Sequence, residues 1–301
     1  MLDGLDPRQQ DTREKADARG PSRDATAVFT RGLELPHGLE RERVHVQEHD
    51  AEYRLRGSEI RALATIGAFR VVSCDDLRDT RGRLGDVRHG DLERLKQAGL
   101  IRPVAPMERN GQHGSIVTLT ERGQDVLESH RVHGVDRPQT FYAGAVKSRE
   151  LSHDAQVYRA YLHVEARLRA EGSHVQRVVL DYELKREYQQ FLQERNRGRS
   201  DSDGRPDRSD EEIRAWARDH GLPVIDGHVQ FPDVRVEYER ADGRRDAENV
   251  EVTTLHYRGR HAAGKAASGF TRFRGQAARV GGSTARTGGA PFDPDVAGEL
   301  L

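Results

Sequence analysis

The sequence predicts an α+β chain made of two units in series. Three observations carry this. Residues 58–130 hold helical stretches around a pair of short strand-like runs. Residues 150–172, ELSHDAQVYRAYLHVEARLRAEG, form one long stretch with an apolar stripe. Residues 231–254, FPDVRVEYERADGRRDAENVEVTT, alternate apolar and polar as two strands about a turn. No internal repeat is present, which argues against a solenoid.

Composition narrows the function classes. Hydrophobic residues make up 35% of the 301, and charged residues 33%. Such a polar chain predicts modest cores with unordered segments beside them. Lys and Arg number 49 against 50 Asp and Glu, so only local patches can select a charged partner. A single cysteine, Cys74, excludes an internal disulfide and fits a reducing cytoplasm. Its neighbours Asp75 and Asp76 disfavour a thiolate, so it reads as structural. No apolar run approaches the roughly 18 to 20 residues that span a bilayer. The first residues lack the apolar segment of a signal peptide. The expectation is a cytoplasmic protein with no membrane partner.

Residues 1–55 are expected to be largely disordered, with a small hairpin at 43–55 from the weak alternation of RVHVQEHDAEYRL. In SEIRALATIGAF, Ile60, Leu63, Ala64 and Gly67 recur at helical spacing behind Ser58 as N-cap. SCDDLRD predicts a short second helix capped by Ser73. DVRHGDLERLKQAGLI predicts a third, ended by Gly99. IRPVAPMERNGQHGSIVTLT reads as a hairpin, and TERGQDVLESHR as a closing helix.

This order resembles a winged helix-turn-helix domain, MarR-like members included. LERLKQAGLI, a hairpin and LTERGQDVL carry the resemblance, and the unit is bounded at 56–131. It implies that the third helix enters the major groove and the wing touches backbone. Arg88, His89, Arg94, Lys96 and Gln97 would then face DNA, with Arg78, Arg81 and Arg83 just before them. Arg109, Asn110, Gln112 and His113 would form the wing tip. Asp86, Asp91 and Glu93 on the same helix support the competing case, a protein-binding winged helix.

Residues 132–149 read as a linker. The long helix from Glu150 carries Leu151, Ala155, Tyr158, Leu162, Ala166 and Leu168, and Gly172 stops it. HVQRVVLDYEL predicts a strand and LKREYQQFLQERN a helix. In SDEEIRAWARDHG, Ser209 and Glu212 stand at capping-box spacing, and Trp216 reads as a core anchor.

The strand pair around residue 242 has two registers that keep valines on one face. Opposed positions summing to 484 need a turn at 241–243 and set Asp233 across from Glu251. A sum of 486 needs a longer turn, matches Val234 with Val252 and Val236 with Val250, and sets the acids diagonally. Apolar matching favours the second. Both put the carboxylates on one face within reach of one ion.

A helix, a strand, Pro232-Asp233 opening a strand, an acid-x-polar triplet on the next, then a helix resembles the PD-(D/E)xK nuclease core. The second unit, 150–278, is therefore expected to be a restriction-endonuclease-like α/β domain. The resemblance implies Asp233 and Glu251 as Mg²⁺ ligands that help to activate water. The usual lysine position holds Thr253, a departure from the pattern. Lys265 on the following helix is the candidate for the missing ammonium group.

From Val252 to Phe292 there is no acid. Arg258, Arg260, Lys265, Arg272 and Arg274 lie there, interleaved with His256, Tyr257, Phe270 and Phe273. Such a mixture suits backbone neutralisation and base stacking. Solvated charge leading into a flexible tail, 279–301, is the competing account. His256 and His261 are spaced wrongly for zinc on one helix face, and GGSTARTGG lacks the lysine of a phosphate loop.

The whole layout resembles the replication-relaxation family across about residues 56–278. That implies a DNA-binding accessory protein of plasmid or mobile-element replication and relaxation. Its partners would be double-stranded DNA and a replication or relaxase protein, and binding would need no cofactor. The alternatives are a Mg²⁺-dependent endonuclease and a winged-helix transcriptional regulator.

Overall fold

The computed structural model describes residues 27–35, 43–48, 51–77, 89–109, 112–144, 148–198, 206–253, 267–275 and 279–280. Within them the chain is mixed α+β with several small sheets. No described helix is long and apolar enough to cross a membrane.

Strands β1 (Val44–Glu48) and β2 (Ala51–Leu55) form the short hairpin expected at 43–55. Upstream, order begins earlier than the charged sequence suggests. Ala27–Thr30 form a 3₁₀ turn, and Phe29 packs edge-on against Phe69 with ring centroids 5.4 Å apart. Burying a side chain of that size contributes roughly 1.5 to 3 kcal/mol, enough to hold a short segment without periodicity.

Helix α1 (Gly57–Ala68) starts before the predicted cap. Glu59 reaches back and accepts from the Arg56 N–H at 2.8 Å. The Ser58 hydroxyl instead donates to Asp91 at 2.7 Å. A three-residue strand β3 (Val71–Ser73) follows, too short to show a period in the sequence. The predicted second helix is, in its described part, only a 3₁₀ turn at Cys74–Asp76.

Helix α2 (His89–Gln97) ends as its glycine requires. Gly99 takes φ +69°, its N–H reaches Lys96 O, and Leu100 N–H reaches Leu95 O, a Schellman closure. Strands β4 (Ile101–Arg109) and β5 (Gln112–Leu119) form the expected hairpin, and Thr120 caps helix α3 (Glu121–Ser129) through Gly123 N–H. The first larger sheet has the order β12-β4-β5-β3, where β12 is Arg279–Val280. Those two residues, expected in a flexible tail, pair with Glu108 and Met107.

Helix α4 (Ser148–Ala170) is the long one. Its stripe buries Leu151, Ala155, Tyr158, Leu162 and Leu168 as expected. Ala166 is exposed instead, while Tyr161 and Val164 are buried. A stripe repeating every 3.5 residues drifts around a straight helix of 3.6 residues per turn this long. Then come β6 (His174–Leu180), α5 (Asp181–Gln193) and α6 (Asp210–Asp219). The Ser209–Glu212 capping box on α6 forms in both directions. A small hairpin, β7 (Val224–Ile225) with β8 (His228–Val229), precedes β9 (Val234–Glu239), β10 (Arg245–Thr253) and β11 (Thr271–Arg274). The second sheet runs β11-β10-β9-β6, antiparallel except for the β10–β11 pair.

One apolar cluster joins both sheets. It includes Phe29, Leu63, Phe69, Leu119, Tyr158, Tyr161, Val178, Val234, Val236, Val250 and Val252. Residues 132–149, expected as a connector, contribute to it: Phe141 is buried, and the Gln139 amide bonds both N–H and C=O of Val178. On the opposite face of the second sheet, Val179 packs with Leu184, Ala217 and Leu222 from α5, α6 and the turn after them. Trp216 lies over this smaller core, as anticipated, stacked on His220.

Candidate functional site

The β9–β10 register decides the geometry of the acids. Val234 pairs with Val250 and Glu239 with Arg245, so opposed positions sum to 484. The turn is the short one, with Arg240 N–H on Arg244 O at 2.8 Å and Gly243 at φ +81°. The register favoured by valine matching is not adopted. Valines find apolar neighbours sideways instead: Val252 pairs with Phe273 on β11, and Val236 with Val178 on β6. Continuing the pairing by one residue sets Asp233 opposite Glu251.

Both acids are buried, Asp233 at 8% exposure and Glu251 at 2%. Asp233 Oδ2 accepts the Val252 N–H at 2.8 Å. The same oxygen lies 3.2 Å from Nε2 of His153, which α4 brings over the strand ends. His153 Nδ1 is 3.2 Å from Asp154 Oδ1. Burial opposes charge on this imidazole, but the hydrogen bonds and charges of Asp154 and Asp233 outweigh it and push its pKa up to about 10. His153 is therefore an imidazolium at neutral pH, with both ring nitrogens donating. A cavity of about 210 Å³ opens beside it, lined among others by Arg70, Glu150, Asp154 and Lys185.

Thr253 stands where the nuclease pattern has lysine, and its hydroxyl donates to Phe273 O at 3.2 Å. Arg272 pairs with Glu251 and Arg274 with Thr253, so both arginines lie on the acids' sheet face and are exposed. Lys265, Arg258 and Arg260 lie outside the described residues, as do Arg81, Arg83 and Arg88.

As arranged, the donors suit Mg²⁺ poorly. That ion asks for octahedral oxygens. Asp233 Oδ2 already takes a backbone N–H and faces an imidazolium. Among the described residues no group of three or more His, Cys, Asp or Glu side chains is placed to hold a metal ion.

On α2, Arg94 lies on a buried acidic anchor. Its Nε donates to Glu59 at 2.8 Å and a terminal nitrogen to Asp91 at 2.9 Å. Glu59 also receives Arg43 at 2.9 Å. Asp91 is thus an internal ligand and not a surface charge that repels phosphate. Lys96 is partly exposed, 3.8 Å from Glu93. The backbone of Arg109 pairs with Gln112 at the hairpin end.

His153 escaped sequence reasoning because no spacing ties it to Asp233. Only the His-Asp step near the start of a long helix hinted at a charged histidine. Cys74 agrees with its structural assignment: burial raises its thiol pKa, and its sulfur lies 3.3 Å from Ser115 Oγ.

No family model, curated protein or solved structure matches the chain.

Proposed function

We propose that the chain is a DNA-binding accessory protein of plasmid or mobile-element replication and relaxation. Its first unit is a winged helix, and its second is a PD-(D/E)xK-like domain that binds without cutting. The supporting observation is topological: α1, β3, a short turn, α2 and the β4–β5 hairpin follow one another, with sheet order β4-β5-β3. On this reading α2 would be the groove helix and the hairpin the wing. On α2, Gln97 is exposed and Lys96 partly exposed, which leaves both free to meet DNA on this reading. The resemblance to the replication-relaxation family supplies the mobile-element setting, the cytoplasmic location and the replication or relaxase partner.

The test is fluorescence anisotropy of a labelled duplex between about 50 and 200 mM salt. Binding should weaken steeply with salt, and Lys96→Ala should flatten the slope by about 0.9 for a lost phosphate contact. Salt-insensitive or absent binding would sink the DNA assignment and favour a protein-binding winged helix.

The direct opposition of Asp233 and Glu251 favours a second reading, a Mg²⁺-dependent endonuclease. Supercoiled plasmid with Mg²⁺ or Mn²⁺ separates the two. Intact plasmid is expected. Nicking by wild type that is lost in Asp233→Ala and Glu251→Ala would establish the nuclease.

A further inference from the structure

A groove of about 860 Å³ lies over the sheet face opposite the valines that pack on α4. Arg235 and Arg177 line its floor, and Arg31 and Arg137 line it from earlier segments. Arg235 is 7% exposed. Its Nε donates to Asn249 Oδ1 at 2.8 Å, and a terminal nitrogen donates to Gly221 O at 3.2 Å. Both acceptors are neutral. Arg31 likewise donates to a neutral acceptor, the amide oxygen of Gln176.

Among the acids that line the groove, Glu237, Asp136 and Asp246 are ion-paired with arginines, while Glu187 and Asp219 line it as well. Arg177, opposite Glu237 in the β6–β9 pairing and diagonal to Arg235, is ion-paired with Glu183. Glu237, two residues along the same face, is ion-paired with Arg137 at 2.7 Å. Arg235 forms no ion pair with a carboxylate among the described residues. Burial lowers its pKa, although the charges of Glu237 and Glu187 oppose that. A buried guanidinium hydrogen-bonded to no carboxylate is costly, and its planar fork matches an oxyanion.

We propose that this groove binds a phosphomonoester of nucleotide size, with the phosphoryl oxygens on Arg235 and with Arg31 and Arg137 beside them. Among the described residues Arg235 and Arg31 donate to neutral acceptors, and two such guanidiniums match the nearly two negative charges of a phosphomonoester. The groove falls within the roughly 300 to 1,000 Å³ of small-molecule sites and far exceeds one phosphate. A free mononucleotide and the 5′-phosphate end of a DNA strand share this chemistry. The site does not depend on the winged-helix assignment.

The test uses the full chain, calorimetry and thermal melting, with deoxyadenosine monophosphate, deoxyadenosine, inorganic phosphate, and an oligonucleotide with and without a 5′-phosphate. The monophosphate should bind and raise Tm, and inorganic phosphate should compete. Deoxyadenosine should do neither. Arg235→Gln should weaken binding at least about tenfold, as expected for a charge-assisted contact. Arg137→Ala and Arg31→Gln, at exposed positions, should weaken it too, and they carry the test if Arg235→Gln does not fold. Preference for the phosphorylated strand over the mononucleotide would identify a strand end as the ligand. Equal binding of deoxyadenosine and its monophosphate would overturn the proposal. So would unchanged binding in the variants, or no binding of any phosphorylated probe.

Discussion

His153 and Asp233, 80 positions apart in sequence, meet with Nε2 and Oδ2 at 3.2 Å. The contact ties the first turns of α4 to the strand end where β9 begins. It also sets a positive charge against the Asp233 carboxylate.

The first prediction concerns pH. The folded pKa of His153 is about 10, above its ordinary 6.5. Its contribution to stability is therefore full below about pH 6.5 and is lost as pH rises through about 10. Urea unfolding at pH 6, 8 and 10 should show this decline, and His153→Gln should flatten it. A histidine ring that titrates near 6.5 by NMR would refute the ion pair.

Asp233→Ala removes the acceptor for the buried Val252 N–H as well as the partner of His153. An orphaned backbone N–H alone costs about 1 to 3 kcal/mol. The variant should unfold at lower urea by at least that much, and the His153 pKa should fall. An unchanged midpoint would show that the contact is idle.

Glu59 is fully buried and gathers Arg43, Arg94 and the Arg56 N–H. Removing one partner of a buried charge set typically costs about 3 to 5 kcal/mol. Glu59→Ala should approach that loss. Arg94→Ala should also destabilise, so Lys96 and not Arg94 is the sound probe of DNA contact. Stability equal to wild type in Glu59→Ala would contradict the anchor.

Gly123 sits where a Cβ would overlap the Leu100 carbonyl and come within 2.8 Å of Leu119 Cδ1. A carbonyl locked in the turn between α2 and β4 has little room to yield. Gly123→Ala should therefore lower stability by about 1 to 3 kcal/mol, despite the better helix propensity of alanine. Greater stability on thermal melting would refute the close approach.

Local chemistry was legible in the sequence. Gly99 and Gly172 ended their helices because a left-handed closing residue is cheapest without a Cβ. Ser209 and Glu212 capped α6 because each completes the other's bond three residues away. Alternation about the β9–β10 turn put Asp233 and Glu251 on one face. Which register they took depended on β6 and β11, strands that supply sideways partners to Val236 and Val252. Phe29 looked unordered because a single aromatic has no period, and its pocket is built by Phe69 and Tyr161 from far along the chain. Tertiary packing alone brought His153 to Asp233 and left Arg235 buried beside neutral acceptors. Charge pairing acts through space over a few ångströms, and sequence spacing carries that distance only within one helix or one strand pair.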